Sequence, residues 1–491
     1  MLNSAGNCFI AVLADEILLE IFSYIRPEWH SRRVPSPLTL DEDYWSRESS
    51  DDGSGDEVES GSEEEMGNGA ESEEGEDTEE VLAEPLWVPL ALVCRKWWLI
   101  YDAILYRQLN VVTGWDRNWS LGIMPLLDLL ERRPAIQRYP RAISLSLGDL
   151  GPRGYAGTGR ILSLCKSIRK VALHTRLSSD IWPLLYEIEK LPLLEELSLS
   201  GTDVGPSISL IFNHFNLPTI KTMTLDRYGP GVENSPNAHW ERVPVSQCDL
   251  EAMFPPSKYH TSNVSSLKLS EPATLPMETE HLLRMPANLV NLSLTSLKDS
   301  YTYPYYNVVA IQGILDIHRH SLKNIELGIF SGNAMEGSMP DFARFPSLEK
   351  LTMSAYNSIH AETVDEALKK LSGPCLRSLF IKFSTEEVHG GHRERPSDFS
   401  KTQVKWMKDL AALKQSVASA LEFVHIKFNP TVILQTDLHW PWENVEQARQ
   451  EVAQFGLTMS YESRCNREEW NKLVKDGATK RSLHWYLYER S

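Results

Sequence analysis

The sequence predicts an α/β chain: a small all-α module followed by an irregular repeat solenoid with a parallel sheet. Three observations predict it. Apolar residues recur at three- and four-residue steps between Leu13 and Ile25, a dense acidic tract follows between Asp41 and Glu80, and a short apolar phrase returns again and again beyond residue 140. At 491 residues, with 42% hydrophobic and 24% charged, the chain has the composition of a globular protein able to bury a sizeable core.

Leu13, Ile17, Leu18, Ile21, Phe22 and Ile25 form the wide apolar face of an amphipathic helix, with Asp15 and Glu16 in the first turn, where they favour the helix dipole. The pattern stops after Pro27. The tract from Asp41 to Glu80 holds 19 acidic residues and one basic one, Arg47, which accounts for the whole net charge of −18. The remainder balances at 48 basic against 48 acidic. Residues 41–80 cannot bury enough apolar surface to offset chain entropy and are expected to be disordered. Within them Ser49, Ser54, Ser60 and Ser62 each have an acidic residue three positions on, a pattern that acidophilic kinases favour. Helices are expected again at Pro89–Tyr101 and Asp102–Gln108, followed by a strand at Leu109–Val112.

Beyond residue 140 the first apolar residues of successive h-x-h pairs are Leu145, Val171, Leu197, Met223, Leu267, Leu292, Ile325, Leu351, Leu379 and Val424, at steps of 26, 26, 26, 44, 25, 33, 26, 28 and 45. Steps near 26 fall within the period of leucine-rich repeats, in which a strand and its return segment bury their apolar faces only when stacked on neighbours. The long steps read as insertions, and the repeat asparagine is mostly absent. From Trp440 onward a helix near Glu443–Gln454, a strand near Leu457–Tyr461 and a helix near Glu468–Lys475 are expected to cap the array. The domains so read are a helical module over 9–109, a solenoid over 110–440 and a cap over 441–491.

The two halves of the first module, LADEILLEIFSYI and PLALVCRKWWLIYDAILYRQL, resemble the F-box family. Leu13, Glu16, Ile17, Leu18, Ile21, Phe22 and Ile25 match its first half, and Leu90, Val93, Cys94, Arg95, Trp97, Leu105 and Leu109 its second. Ala14 stands where the family usually has Pro, which at a helix start only pre-sets the backbone. The gap between the halves is unusually long, and loop closure costs grow only logarithmically with length. As a whole the chain looks like F-box proteins of fungi with leucine-rich C-terminal regions. The resemblance implies a substrate adaptor of a cullin ubiquitin ligase, in which Leu13, Ile17, Leu18, Ile21, Phe22, Leu90, Val93, Cys94 and Trp97 dock a Skp-family adaptor and the repeats hold a protein target. The alternative is a leucine-rich-repeat interaction scaffold, not linked to ubiquitination, whose apolar helix packs on its own first repeat.

The target site follows from strand period: apolar residues of each x-h-x-h-x strand point inward and the intervening ones line the open face. In early repeats these are Ser144, Ser146, Ser198, Ser200, Thr222 and Thr224. In later ones they become Lys350, Phe380, Lys382, Phe423, His425 and Lys427, which combine aromatic anchors with positive charge and point to an acidic or phosphorylated target segment. The alternative is that the C-terminal cap covers these strands.

Other signals point to no chemistry. GPRGYAGTGR, Gly151 to Arg160, lacks the Lys-Ser/Thr ending of a phosphate loop and reads as a flexible strand-to-helix loop. His318 and His320, or His389 and His392, have no ligand-spaced cysteine or carboxylate, so no metal is expected. No nucleophile–base set is placed by a motif, so no catalytic residue and no cofactor are assigned. The balanced charge outside the acidic tract argues against nucleic acid. Six scattered cysteines, a start without a basic leader and no apolar run of membrane length lead us to expect an intracellular protein of the cytoplasm or nucleus, not a membrane protein.

Overall fold

The computed structural model describes residues 103–112, 120–147, 151–175, 182–201, 218–226, 251, 254–270, 276–295, 306–330, 339–355, 357–359, 363–383, 399–417, 419–428, 440, 442–462 and 466–476. By contacts the chain divides into Met1–Asp102 with Ser491, and Ala103–Arg490; the described residues belong to the second unit. The first-module residues Leu13, Ile17, Leu18, Ile21, Phe22, Leu90, Val93, Cys94 and Trp97 lie outside them, as do the acidic tract and its serines.

Twelve strands form one sheet in the order of the chain: β1 (Gln108–Val112), β2 (Ala142–Leu147), β3 (Lys170–Thr175), β4 (Glu196–Gly201), β5 (Thr222–Asp226), β6 (Ser266–Ser270), β7 (Asn291–Thr295), β8 (Asn324–Leu327), β9 (Lys350–Ser354), β10 (Ser378–Phe383), β11 (Phe423–Phe428) and β12 (Thr458–Glu462). Every neighbouring pair is parallel. A parallel neighbour requires a return segment on one side of the sheet. Helices supply it in most repeats: α1 (Ser120–Arg132), α2 (Gly151–Leu164), α3 (Trp182–Glu189), α4 (Pro276–Leu283), α5 (Val308–Asp316), α6 (Val364–Lys370), α7 (Lys401–Val417) and α8 (Glu443–Ala453), with α9 (Arg467–Lys475) after the last strand. Among the described residues, a 3-10 turn, Phe342–Arg344, stands in the return between β8 and β9. This is a strand-and-return solenoid that resembles the leucine-rich-repeat architecture.

Strand residues alternate between buried and half-exposed, as period 2 demands when one face is covered. The inward set joins helix residues such as Ile161, Leu184 and Leu410 in one continuous core. Each inward Leu or Ile so removed from water contributes about 1.5–3 kcal/mol before chain entropy is counted. The expected anchors from Val171 to Val424 are cross-strand partners one after another. Leu145 is the exception, because Ile143 lies opposite Val171 and Leu145 opposite Leu173. A two-residue slip keeps the same face inward, so spacing alone did not expose it. The sheet extends past the expected array at both ends: Leu109 pairs with Ile143, and Met459 with Val424.

GPRGYAGTGR is not a loop. It forms the first turns of α2, and its glycines serve close packing: a Cβ at Gly157 would stand 3.1 Å from Ile123 Cγ2 on α1, and one at Gly159 3.5 Å from Glu187 on α3. The last repeats are filled differently. Trp440 and Trp442 lie with ring centroids 4.8 Å apart, and Trp440 and Trp470 6.3 Å apart, closing the core beneath β12. α9 begins on a capping box in which Asn466 accepts from the Glu469 amide and Glu469 accepts from the Asn466 amide. Gly456, at φ +69°, takes the left-handed conformation that turns the chain from α8 into β12.

Among the described residues no helix is long and apolar enough to cross a membrane.

Candidate interaction face

Parallel register turns the open face into three rows running across the sheet. From β2 to β7 the middle row reads Ser144, Ala172, Ser198, Thr224, Lys268 and Ser293, and the row beyond it Ser146, His174, Ser200, Asp226, Ser270 and Thr295. Two pairs of these groups satisfy each other. Ser200 Oγ donates to Asp226 at 3.2 Å, and the Ser270 and Thr295 hydroxyls lie 3.0 Å apart. The row holds serine, histidine and aspartate side by side, yet Asp226 accepts from Ser200 and sits two strands from His174. Burial lowers the His174 pKa below the ordinary imidazole value against the opposing charge of Asp226.

From β8 onward the same rows carry longer side chains. The middle row becomes Glu326, Thr352, Phe380, His425 and Ser460. Phe380 is the hub. Its ring centroid lies 5.2 Å from that of His425 and 5.9 Å from that of Phe423, and Lys350 Nζ stands 4.1 Å above the ring. Phe423 and His425, two residues apart on β11, stack with their planes 17° apart. His425 is fixed from the next strand, its Nδ1 2.7 Å from Ser460 Oγ and its Nε2 3.7 Å from Glu462. Phe380, Phe423 and His425 are half-buried, and Lys350 and Lys427 are exposed. Four of the six expected site residues, Lys350, Phe380, Phe423 and His425, thus form one cluster.

Lys382 behaves differently. Its ammonium reaches back over β9 to an ion pair with Glu326 on β8. Thr352, opposite both Glu326 and Phe380, is short enough to pass beneath, and with Ser354 it is buried. Burial pushes the Glu326 carboxyl up, but the hydrogen bond and charge of Lys382, a 2.8 Å hydrogen bond from Ser293 and the charge of Lys268 outweigh it and hold the group below the usual carboxylate range. Lys427 lies directly opposite Lys382 and forms no ion pair among the described residues.

Glu326, Ser460 and Glu462 were missed in the sequence. Glu326 sits between hydroxylic strands and carries no local signal. Ser460 and Glu462 belong to a strand read as part of a cap rather than as the sheet's continuation, so their open-face positions were not counted.

The remaining candidates have structural roles. His318 donates from Nε2 to the Leu283 carbonyl at 2.6 Å, and burial keeps its pKa below the ordinary imidazole value despite that bond. His320 instead accepts from Arg319 at 2.9 Å, so the two imidazoles do not converge. His389 and His392 lie outside the described residues. Cys165 and Cys375 are free thiols, and burial pushes Cys165 up to about 11 against the opposing charge of Lys166, which makes it a poor nucleophile. Asn357 bridges neighbouring repeats, accepting from the Phe330 amide at 3.2 Å and donating to its carbonyl at 3.1 Å. A cleft of about 510 Å³ beside Pro192, Glu195, Lys221 and Asn263 lies at the strand starts, and Glu195 there is already paired with Arg169 and Lys221.

No known protein family matches the chain by sequence, and no curated protein matches it. Among solved structures it is similar to the leucine-rich repeat-containing protein LegL7 of Legionella pneumophila, at 13% identity and a TM-score of 0.38, over 76% of this chain and 97% of that one. At that level the likeness carries nothing about function.

Proposed function

We propose that this chain is a non-enzymatic substrate-recognition subunit of an SCF-type cullin ubiquitin ligase. The first module docks a Skp-family adaptor through Leu13, Ile17, Leu18, Ile21, Phe22, Leu90, Val93, Cys94 and Trp97, and the solenoid presents a protein target. The reading is supported by the two F-box-like half-motifs standing ahead of a repeat array whose open face concentrates aromatic and charged residues on β9–β11. The Phe380 cluster carries the target half of the proposal. Half-buried aromatics ringed by charge are what protein-binding hot spots use, whereas the short hydroxyls of β2–β5 offer little anchoring area. No cofactor, metal or nucleic acid enters the proposal.

Co-expression of the full chain with a Skp-family adaptor at low salt tests it. A stoichiometric complex surviving gel filtration is the expected result. Clean separation of the two proteins overturns the adaptor role and leaves a repeat scaffold unconnected with ubiquitination.

A further inference from the structure

The two ends of the β10–β11 patch differ chemically, and that difference specifies a ligand. Phe380 and Phe423 sit toward the strand starts, and Lys382 and Lys427 toward the strand ends. At ~3.3 Å per strand residue, the two residues from Phe380 to Lys382 span about 7 Å and the four from Phe423 to Lys427 about 13 Å. Lys382 and Lys427 are direct neighbours on adjacent strands, a like-charge placement that is unfavourable unless a counter-charge relieves it. For Lys382 the relief comes from Glu326, two strands away. Lys427 has Glu462 as its neighbour on β12, but that carboxylate lies 3.7 Å from His425 Nε2 and forms no ion pair with Lys427.

We infer that this face takes an acidic peptide segment of a partner protein, carrying an apolar side chain and a carboxylate about 7–13 Å apart, and that Glu326 holds the place of that carboxylate until the segment binds. The inference rests on reading this face as the target surface. A carboxylate seated between Lys382 and Lys427 meets two ammonium groups, while the apolar side chain lies on the Phe380 and Phe423 rings. Lys382 then exchanges Glu326 for the ligand, and Glu326 keeps Ser293 and turns to Lys268. Carboxylate is favoured over phosphate for two reasons. Among the described open-face residues of β8–β12 there is no arginine, the side chain suited to bidentate phosphate recognition, and the anion already seated on Lys382 is itself a carboxylate.

The test uses the full chain and a fluorescein-labelled synthetic peptide with one Phe and a Glu pair three residues on, in a Gly/Ser background, read by fluorescence anisotropy at low salt. Glu326→Gln frees Lys382 and is expected to tighten binding about threefold, and Lys427→Ala to loosen it about as much. The double variant Glu326→Gln/Lys382→Ala is expected to match Lys382→Ala alone, because the gain passes through Lys382. Circular dichroism confirms that each variant folds. Absence of binding to both the parent chain and Glu326→Gln overturns the inference, and so does equal binding of a peptide with Gln in place of Glu. A phosphoserine peptide binding more than about tenfold tighter assigns the site to phosphate instead. The readout needs no Skp-family adaptor. Peptide binding without adaptor co-purification therefore sinks the ligase reading alone, and the reverse sinks this inference alone.

Discussion

The early and late repeats of this solenoid share a backbone plan and differ in the size of the side chains on both faces of the sheet. Around β2–β5 the open face is floored with serine and threonine, and glycines let α1, α2 and α3 approach closely. Around β9–β12 the open face carries a phenylalanine–histidine–lysine cluster, and three tryptophans fill the core behind it. Parallel pairing is indifferent to what the alternate residues are, so the same ladder can carry a quiet surface at one end and an anchoring surface at the other. The stacking of repeats gives the fold, and the residues that period 2 leaves outside set the chemistry of the open face.

Removing the large late-repeat core residues should have the largest effect. Trp442→Ala empties a fully buried site and is expected to cost about 3–5 kcal/mol in urea unfolding, less whatever is regained because the indole N–H has no acceptor among the described residues. A loss below ~1 kcal/mol would mean that the tryptophans do not close the core. Next, the two open faces can be set against each other. Phe380→Ala with Phe423→Ala should cost ~2 kcal/mol, since half-buried rings give up part of their burial and their mutual contact, whereas Ser144→Ala with Ser198→Ala should stay within ~0.5 kcal/mol. Equal losses would erase the distinction between the halves.

A smaller effect, of about 1 kcal/mol, is expected from Glu326→Gln, which removes a half-exposed ion pair. Its pH dependence fixes the sign. The folded-state pKa is depressed below 4.5, so the contribution is fully present above that pH and is lost as pH falls through the folded value. The parent and the variant should therefore converge in stability as pH falls below 4.5 and through the depressed folded-state value, and remain apart at neutral pH. Smallest is a glycine pair in α2. Gly159→Ala has room at 3.5 Å and should stabilise by ~0.5 kcal/mol through helix propensity, while Gly157→Ala meets Ile123 at 3.1 Å and should lose that gain or reverse it.

The sheet was legible in the sequence because alternation and a near-constant step are properties of each strand separately. The ion pair between Lys382 and Glu326 was not, since it joins residues 56 apart in the chain across an intervening strand, and only the three-dimensional register brings them into reach. The same reason hid Ser460 and Glu462, whose roles depend on β12 joining the sheet. GPRGYAGTGR misled in the opposite direction. Its glycines resemble loop punctuation, but tertiary packing against α1 and α3 outweighs their low helix propensity. Lys350 over Phe380 shows the favourable case: both residues were picked from strand period, and the parallel register then set them face to face.

The proposed adaptor role and the proposed target face fall on separate parts of the chain, which makes the central claim directly measurable. Quantitative co-purification of a Skp-family adaptor should be carried out with the parent full chain, with Ile17→Asp/Phe22→Asp and with Phe380→Ala/Phe423→Ala, each checked for folding by circular dichroism. Charges forced onto the apolar helix face are expected to abolish adaptor binding, whereas removal of the β10–β11 aromatics leaves it at the parent level. Adaptor retained by Ile17→Asp/Phe22→Asp, or lost with the Phe380 and Phe423 rings, would contradict the account.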